Sequence, residues 1–314
     1  MKLIALPPIV AHAELRALKT IASENGELED LELKALQAIQ THVLNTNFDI
    51  HSLEAIAHEE LAEIVTEYKF REHLIHNCIL ISLIDGKVTS QKTHLVNNFA
   101  KALNINDKAI KTLNYLSNGH FLLVRLNIFR YAYIGPKLIE LIRNQGINSI
   151  IPIIKYLINQ GDTKTASRYR QLHSYPDGSL GKEFYNFIHK NNFGLPGERG
   201  KKPEIIVVHD CAHILGGYNT SVSEEVQLSA FQSGYLNRSP FWGLLFTILQ
   251  LHLGVKVLTG SYTCRNQVEP ESFFKAFKRG TQVNVDLFDN WDPWTVFHRQ
   301  VEDLRKEYNI LPRS

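Results

Sequence analysis

The chain has 314 residues, of which 44% are hydrophobic and 21% charged, with a net charge of +2. That length allows two domains, and the apolar content is ample for packed cores. Residues 1–120 carry 11 basic and 15 acidic side chains and the remainder 23 and 17, a mild asymmetry that excludes the clustered basic footprint of a nucleic-acid binder.

The densest basic stretch, Lys164, Arg168 and Arg170, reads as a solvated helix face. Cys78, Cys211 and Cys264 are far apart and form no CxxC pair, so a reducing cytoplasm is expected rather than a disulfide framework. The N-terminal apolar run is broken by Pro7-Pro8 and is too short for a signal peptide. The longest apolar stretches, 148–158 and 241–251, fall short of the ~18–20 residues a membrane span needs. The expected state is soluble, or peripheral at a membrane surface.

Residues 1–118 read as helices. Leu15, Leu18, Ile21 and Ala22 form one apolar stripe, Leu31, Ala35, Ala38 and Ile39 a second, and Leu61, Ile64 and Val65 a third. An internal echo runs through this half. Asn25-Gly26 recurs sixty residues later as Asp85-Gly86, each between two helices, and each copy is followed by a further break, at 45–49 and 104–107. A duplicated helical hairpin is the natural inference. The second copy, LISLIDGKVTSQKTHLVNNFAKALNI, resembles the tellurite-resistance TerB-like helical family over residues 1–118. That family often places metal-binding carboxylates just after the Asp-Gly pair. Here Lys87 and Gln91 occupy those places, so Asp85-Gly86 reads as a turn at a helix C-terminus.

Residues 119–172 form a helical bridge. The segments 121–133 and 147–158 are apolar enough to be buried helices, punctuated by Gly135-Pro136 and Gly161-Asp162. The turn signal Tyr175-Pro176-Asp177-Gly178 then opens a second helical domain, 173–314. The expected fold is therefore all-α, with two helical domains and the bridge between them.

The second domain carries the motif with chemistry in it. His209-Asp210-Cys211-Ala212-His213 lies on a predicted helix. At about 100° per residue, His209, Asp210 and His213 share an arc of roughly 100°. Gly216-Gly217 followed by Asn219, Ser221 and Ser223 turns the chain back. Ser221 with Glu224 fits a capping box, so a new helix starts near Val222 with Glu225 in its first turn. Ser229 and Gln232 share the face of Glu225. Two imidazoles and two carboxylates suit a divalent metal: zinc first, with manganese, iron or magnesium as alternatives. Asp210 could instead fix an imidazole tautomer from behind. Cys211 points away and reads as packing.

HDCAH, eleven residues, then Glu225 resembles the motif of the coenzyme Q biosynthesis protein four ("Coq-four") family. Upstream YPDGSLGKEFYNFI and downstream NVDLFDNWDPW match in order. Two details differ: Cys211-Ala212 stands where aromatic residues are common, and Asp292 where a Glu is usual. The resemblance implies a helical domain binding a divalent metal through His209, Asp210, His213 and Glu225. It also implies an apolar cavity for an isoprenoid chain, and a role in ubiquinone biosynthesis. That role is either metal-dependent oxidative decarboxylation of a prenylated quinone precursor or a non-catalytic lipid-binding scaffold. The N-terminal half would then dock protein partners.

Phe231, Tyr235 and His252 are candidates to line that cavity, although each also reads as core. Asp286, Asp289 and Asp292 with Trp291 and Trp294 read as Asx-turns pinned by indoles. No Gly-rich phosphate loop and no GxSxG motif occurs. A metal-dependent hydrolase ranks third, since no further His and Asp ligands present themselves.

Overall fold

The computed structural model describes residues 3–24, 26–201, 203–257 and 262–313. The protein is all-α. The described residues contain sixteen α-helices and no strand, with only isolated bridges at Ser179–Gln300 and Leu253–Arg265. The helices are α1 (Pro8–Ala22), α2 (Asp30–Ile39), α3 (His58–Ile64), α4 (Tyr68–Ile81), α5 (Ser90–Ala102), α6 (Lys108–Ser117), α7 (Phe121–Tyr131) and α8 (Ile134–Gln145). They continue as α9 (Ile151–Leu157), α10 (Thr163–Arg170), α11 (Leu180–Lys190), α12 (Val207–Gly216), α13 (Val222–Tyr235), α14 (Phe241–Leu251), α15 (Pro270–Thr281) and α16 (Val301–Glu307). No helix among the described residues is long and apolar enough to cross a membrane.

Side-chain caps explain many of the boundaries. Thr89, Asp107, Asp162, Ser179 and Ser221 each accept a backbone N–H in the first turn of the helix they precede. Glu29 and Glu32 cap α2 reciprocally. The two halves of the internal echo share backbone punctuation: Gly26 and Gly86 both have left-handed φ, as do Asn45 and Asn104. Asn25 lies outside the described residues.

Asp85-Gly86 ends α4 as a turn. Asp85 Oδ1 accepts from the Lys87 N–H, and its Oδ2 accepts from Lys92 Nζ at 2.9 Å. Lys92 also donates to Glu32 Oε1 at 2.6 Å. A buried lysine ammonium thus ties α2, the turn and α5 together.

Buried apolar residues from Val10 in α1 to Ile310 after α16 form one contiguous core. The N- and C-terminal halves meet in it. Helix α2 packs against α15 and α4 against α14, the His76 ring stacks on Phe241 at 4.1 Å, and His42 pairs with Glu271 at 2.7 Å.

The bridge departs from the expectation of buried helices. Val124 and Ile128 are buried, but Phe121, Leu122, Leu126 and Phe129 on α7 remain exposed, as do Ile151, Ile154 and Leu157 on α9. These segments are apolar around most of the helix, and neighbouring helices cover only one side.

The helix that bears Glu225 is set by contact between two backbones. Where α13 crosses α15, a Cβ on Gly280 would lie 2.0 Å from the Phe231 carbonyl oxygen, and one on Gly234 2.5 Å from that of Phe277. Gly280→Ala should therefore cost about 2 kcal/mol, because steric overlap at the upper end of the usual range exceeds the propensity gain of alanine. A urea melt checks this, and an unchanged midpoint would contradict so close an approach.

A second buried polar group lies between α1 and α4. Glu14 is fully buried; its Oε1 accepts from Asn77 at 2.7 Å, while its Oε2 has no partner. Burial pushes Glu14 up to about 8, outweighing the Asn77 bond. Burial, assisted by repulsion from His76, pushes the neighbouring His73 down to about 4. Both groups are uncharged near neutrality. Above the ordinary histidine range only Glu14 still differs between the folded and unfolded chain. The unfolded carboxyl has then lost the proton the folded one keeps, so stability falls as pH rises toward 8. Over that interval the loss should be about 2 kcal/mol. Glu14→Gln should flatten it, as urea melts at pH values on either side of 7 would show.

Candidate metal centre

Helix α12 follows a short 3-10 turn, Glu204–Ile206, and ends at Gly217, whose left-handed φ reverses the chain. Its last carbonyls, left without intrahelical partners, are taken by arginines. Arg305 donates to Ile214 and Leu215, and Arg313 to Gly217. Ser221 then caps α13 by accepting from the Glu224 N–H. Glu225 sits in the first turn, facing α12.

This turn brings three expected ligands together. His209, His213 and Glu225 each offer a ligand atom within 4.8 Å of the others. Glu225 Oε2 lies 3.4 Å from His209 Nε2, and its Oε1 lies 3.3 Å from His213 Nε2. The other nitrogen of each ring is held from outside. His213 Nδ1 meets the Tyr218 carbonyl at 3.1 Å, and a carbonyl can only accept, so the proton is on Nδ1. His209 Nδ1 is 3.0 Å from Gln232 Oε1. Both Nε2 atoms are thereby turned toward the carboxylate, the arrangement in which outer partners fix metal-ligating histidines.

The separations can be set against those of an ion pair and of a metal centre. Charge-assisted N–H···O bonds are typically about 2.7–2.9 Å. Two ligands on a tetrahedral metal with bonds of ~2.0–2.1 Å stand roughly 3.3–3.4 Å apart. The His209–Glu225 and His213–Glu225 distances, 3.4 and 3.3 Å, are longer than a tight ion pair and leave room for an ion. A further group, Glu72, His76 and Asp107, also gathers three ligating side chains. There His76 Nε2 lies 2.6 Å from Asp107 Oδ2, and Asp107 Oδ1 caps α6 through the Ala109 N–H. That group has the dimensions of an ordinary ion pair.

The three groups are electrostatically coupled. Glu225 lies below the usual carboxylate range: burial opposes ionisation, but the two imidazoles overcome it. Burial alone would lower His209, and Glu225, with Asp210 assisting, raises it instead. His213 is buried at 1% side-chain exposure, whereas His209 is 31% exposed, so the centre opens to solvent on the His209 side. Phe187 of α11 walls His213 from behind, with ring centroids 5.1 Å apart.

Asp210 was expected as a ligand but does not join the group. The gathered side chains are His209, His213 and Glu225; Asp210 is buried beside them and its charge helps to raise His209. The three residues expected to line a cavity are all buried, and Tyr235 bonds Gln232, the partner of His209. Phe231 is fully buried between Tyr218, Tyr235 and the Arg279 guanidinium. Tyr235 is buried at the end of α13. His252 is held on both sides by backbone: its Nε2 contacts the Ile84 carbonyl at 2.7 Å, and its Nδ1 accepts from the Val268 N–H at 3.2 Å. It is a neutral tie between the two halves, pushed down by burial. The Asp286 cluster is a loop of Asx-turns. Asp286 accepts from Asn237, Phe288 and Asp289 N–H groups, and Asp289 pairs with Arg238.

Several contributors left little trace in the sequence. The Tyr218 carbonyl acts through backbone, and its ring is fixed by Arg313 and Arg279. Phe187 reaches the site from another helix. The Tyr262 phenol is pushed up by partial burial and by the Glu225 charge, which places it within electrostatic reach of the centre.

Three side chains able to ligate, on two helices joined by the Gly217 turn, define a candidate metal centre in a helical protein. No protein-family model matches the chain, and no curated protein does.

Proposed function

We propose that the chain binds a divalent metal, zinc in the first instance, through His209, His213 and Glu225. We further propose that it acts there on an oxygen-bearing ring substrate with an isoprenoid tail. The observation that carries the metal is the pair of Nε2 atoms 3.3–3.4 Å from the two oxygens of one carboxylate, with both Nδ1 atoms engaged outward. Three protein ligands leave a position for water or substrate. The metal would supply Lewis-acid polarisation of a bound oxygen. Gln232 and the Tyr218 carbonyl would hold the imidazoles in register, and Glu225 would stay ionised.

The substrate rests on the resemblance of HDCAH, Glu225 and their flanks to the Coq-four pattern. It points to a prenylated quinone precursor; oxidative loss of its ring carboxyl group as carbon dioxide would take dioxygen as the oxidant and iron(II) or manganese in place of zinc, which has no redox chemistry. Extraction of the purified protein, with mass spectrometry of bound lipids, tests this together with incubation with a carboxylated prenyl-phenol in air. Turnover by wild type and none by His209→Ala supports a catalyst. A tightly bound, unchanged isoprenoid supports a lipid-holding scaffold instead. Absence of both excludes the substrate class while leaving the metal centre to its own test.

A further inference from the structure

The bridge exposes apolar side chains that none of the described residues covers. Leu122, Leu126 and Phe129 follow helical spacing along α7. Ile139 and Ile142 do so on α8. Ile147, Ile151, Ile154 and Ile158 do so through the turn before α9 and along it. All nine are exposed, Ile147 by 70% and Leu122 by 68%. The helices are contiguous in sequence and packed on one another, α7 on α8 and both α8 and α9 on the turn at Ile147–Ile150. Scattered exposed apolar residues need no explanation, but nine along three consecutive, packed helices point to an interaction surface.

Charge identifies the occupant. Residues 119–158 contain five cationic side chains and the single acid Glu140; Lys137 pairs with Glu140 and Lys155 with Asp162 at 2.7 Å, so Arg125, Arg130 and Arg143 carry the excess. Glu140 is turned onto Lys137 at 3.0 Å and Arg238 at 3.5 Å. Arg130 and Arg143 are exposed and line, with Arg238 and Ile139, an open groove of about 550 Å³ at the edge of the apolar set. A second copy of this face would bring like charges together. An anionic lipid surface would receive the isoleucines and phenylalanines among its acyl chains and the arginines among its phosphates.

We propose that α7, α8 and α9 dock the protein on the surface of an anionic bilayer, through Leu122, Leu126, Phe129, Ile151 and Ile154, with Arg130 and Arg143 on lipid phosphates. This surface does not depend on the metal centre. The full-length chain is mixed with vesicles of phosphatidylcholine alone, or with about a third phosphatidylserine, and floated on a density gradient.

Wild type should float with the anionic vesicles and be released by high salt. Leu126→Glu/Ile154→Glu should bind at least about tenfold more weakly, as should Arg130→Glu/Arg143→Glu. All four positions are at least partly solvent-exposed, so far-ultraviolet circular dichroism and thermal midpoint should match wild type. Three results would overturn the proposal: no flotation with either vesicle, flotation unchanged in both folded variants, or a wild-type dimer that Ile154→Glu dissociates without any vesicle binding.

Discussion

Glu225→Gln is expected to abolish tight divalent-metal binding while leaving the fold intact. The substitution keeps the shape of the side chain but removes the one negative charge that faces both Nε2 atoms. Removing the outer partner of a ligating histidine typically costs about 10–100-fold in metal affinity, so losing a direct charged ligand should cost more than about 100-fold. His209→Ala should behave similarly, and its 31% exposed side chain leaves little packing to lose. Gln232→Leu should fall between, within the 10–100-fold range. Competition titration with a chromophoric zinc chelator measures all three. Affinity should also rise with pH, since both imidazoles must be free of protons at Nε2 before they can bind a metal. Equal affinities for wild type and Glu225→Gln would remove the carboxylate from the site.

Lys92→Met should be among the most destabilising single substitutions in the N-terminal half. The Lys92 ammonium, 3% exposed, lies 2.6 Å from Glu32 and 2.9 Å from Asp85, which are themselves 3% and 4% exposed. Burial disfavours its charge, but the two carboxylates overcome that and raise it. Removing the cation leaves two buried acids facing one another, a loss of about 3–5 kcal/mol, a large share of the ~5–15 kcal/mol that holds a typical domain folded. The triple variant Lys92→Met/Asp85→Asn/Glu32→Gln removes all three charges and should recover most of it. Urea melts of the two variants decide between a necessary counter-ion and incidental proximity. If Lys92→Met alone melts within about 1 kcal/mol of wild type, the ammonium is screened and the tie between α2 and α5 lies elsewhere.

The gathering of His209, His213 and Glu225 was legible where local rules govern. His209 and His213 are one helical turn apart, so their shared face follows from periodicity. Ser221 and Glu224 mark the start of α13, which places Glu225 in its first turn, and Gln232 lies two turns further along the same face. Asp210 shows the limit of that reasoning. An arc of helix face tells which side chains share a side, but not which of them a neighbouring element takes.

The same limit explains His252, Phe231 and Tyr235. Their apolar surroundings were readable, while partners such as the Ile84 carbonyl, 168 positions away, depend on how helices pack. In the bridge, hydrophobicity correctly indicated helices but not that most of their apolar side chains would stay exposed. It could not indicate whether the cover would be this chain or something else. The all-α fold was legible from helical spacing and caps, whereas the packing of α2 on α15 into one core was not, because no local signal records it.

The central claim is that His209, His213 and Glu225 hold a divalent metal, and metal content tests it most directly. The purified full-length chain is analysed by inductively coupled plasma mass spectrometry, after chelation and after re-loading with zinc, manganese, iron(II) or magnesium in turn. The account predicts close to one divalent ion per chain, removable by chelator and regained by wild type, with His213→Ala regaining none. A wild-type chain that neither carries nor takes up any of the four ions, or a His213→Ala chain that loads equally well, would contradict it.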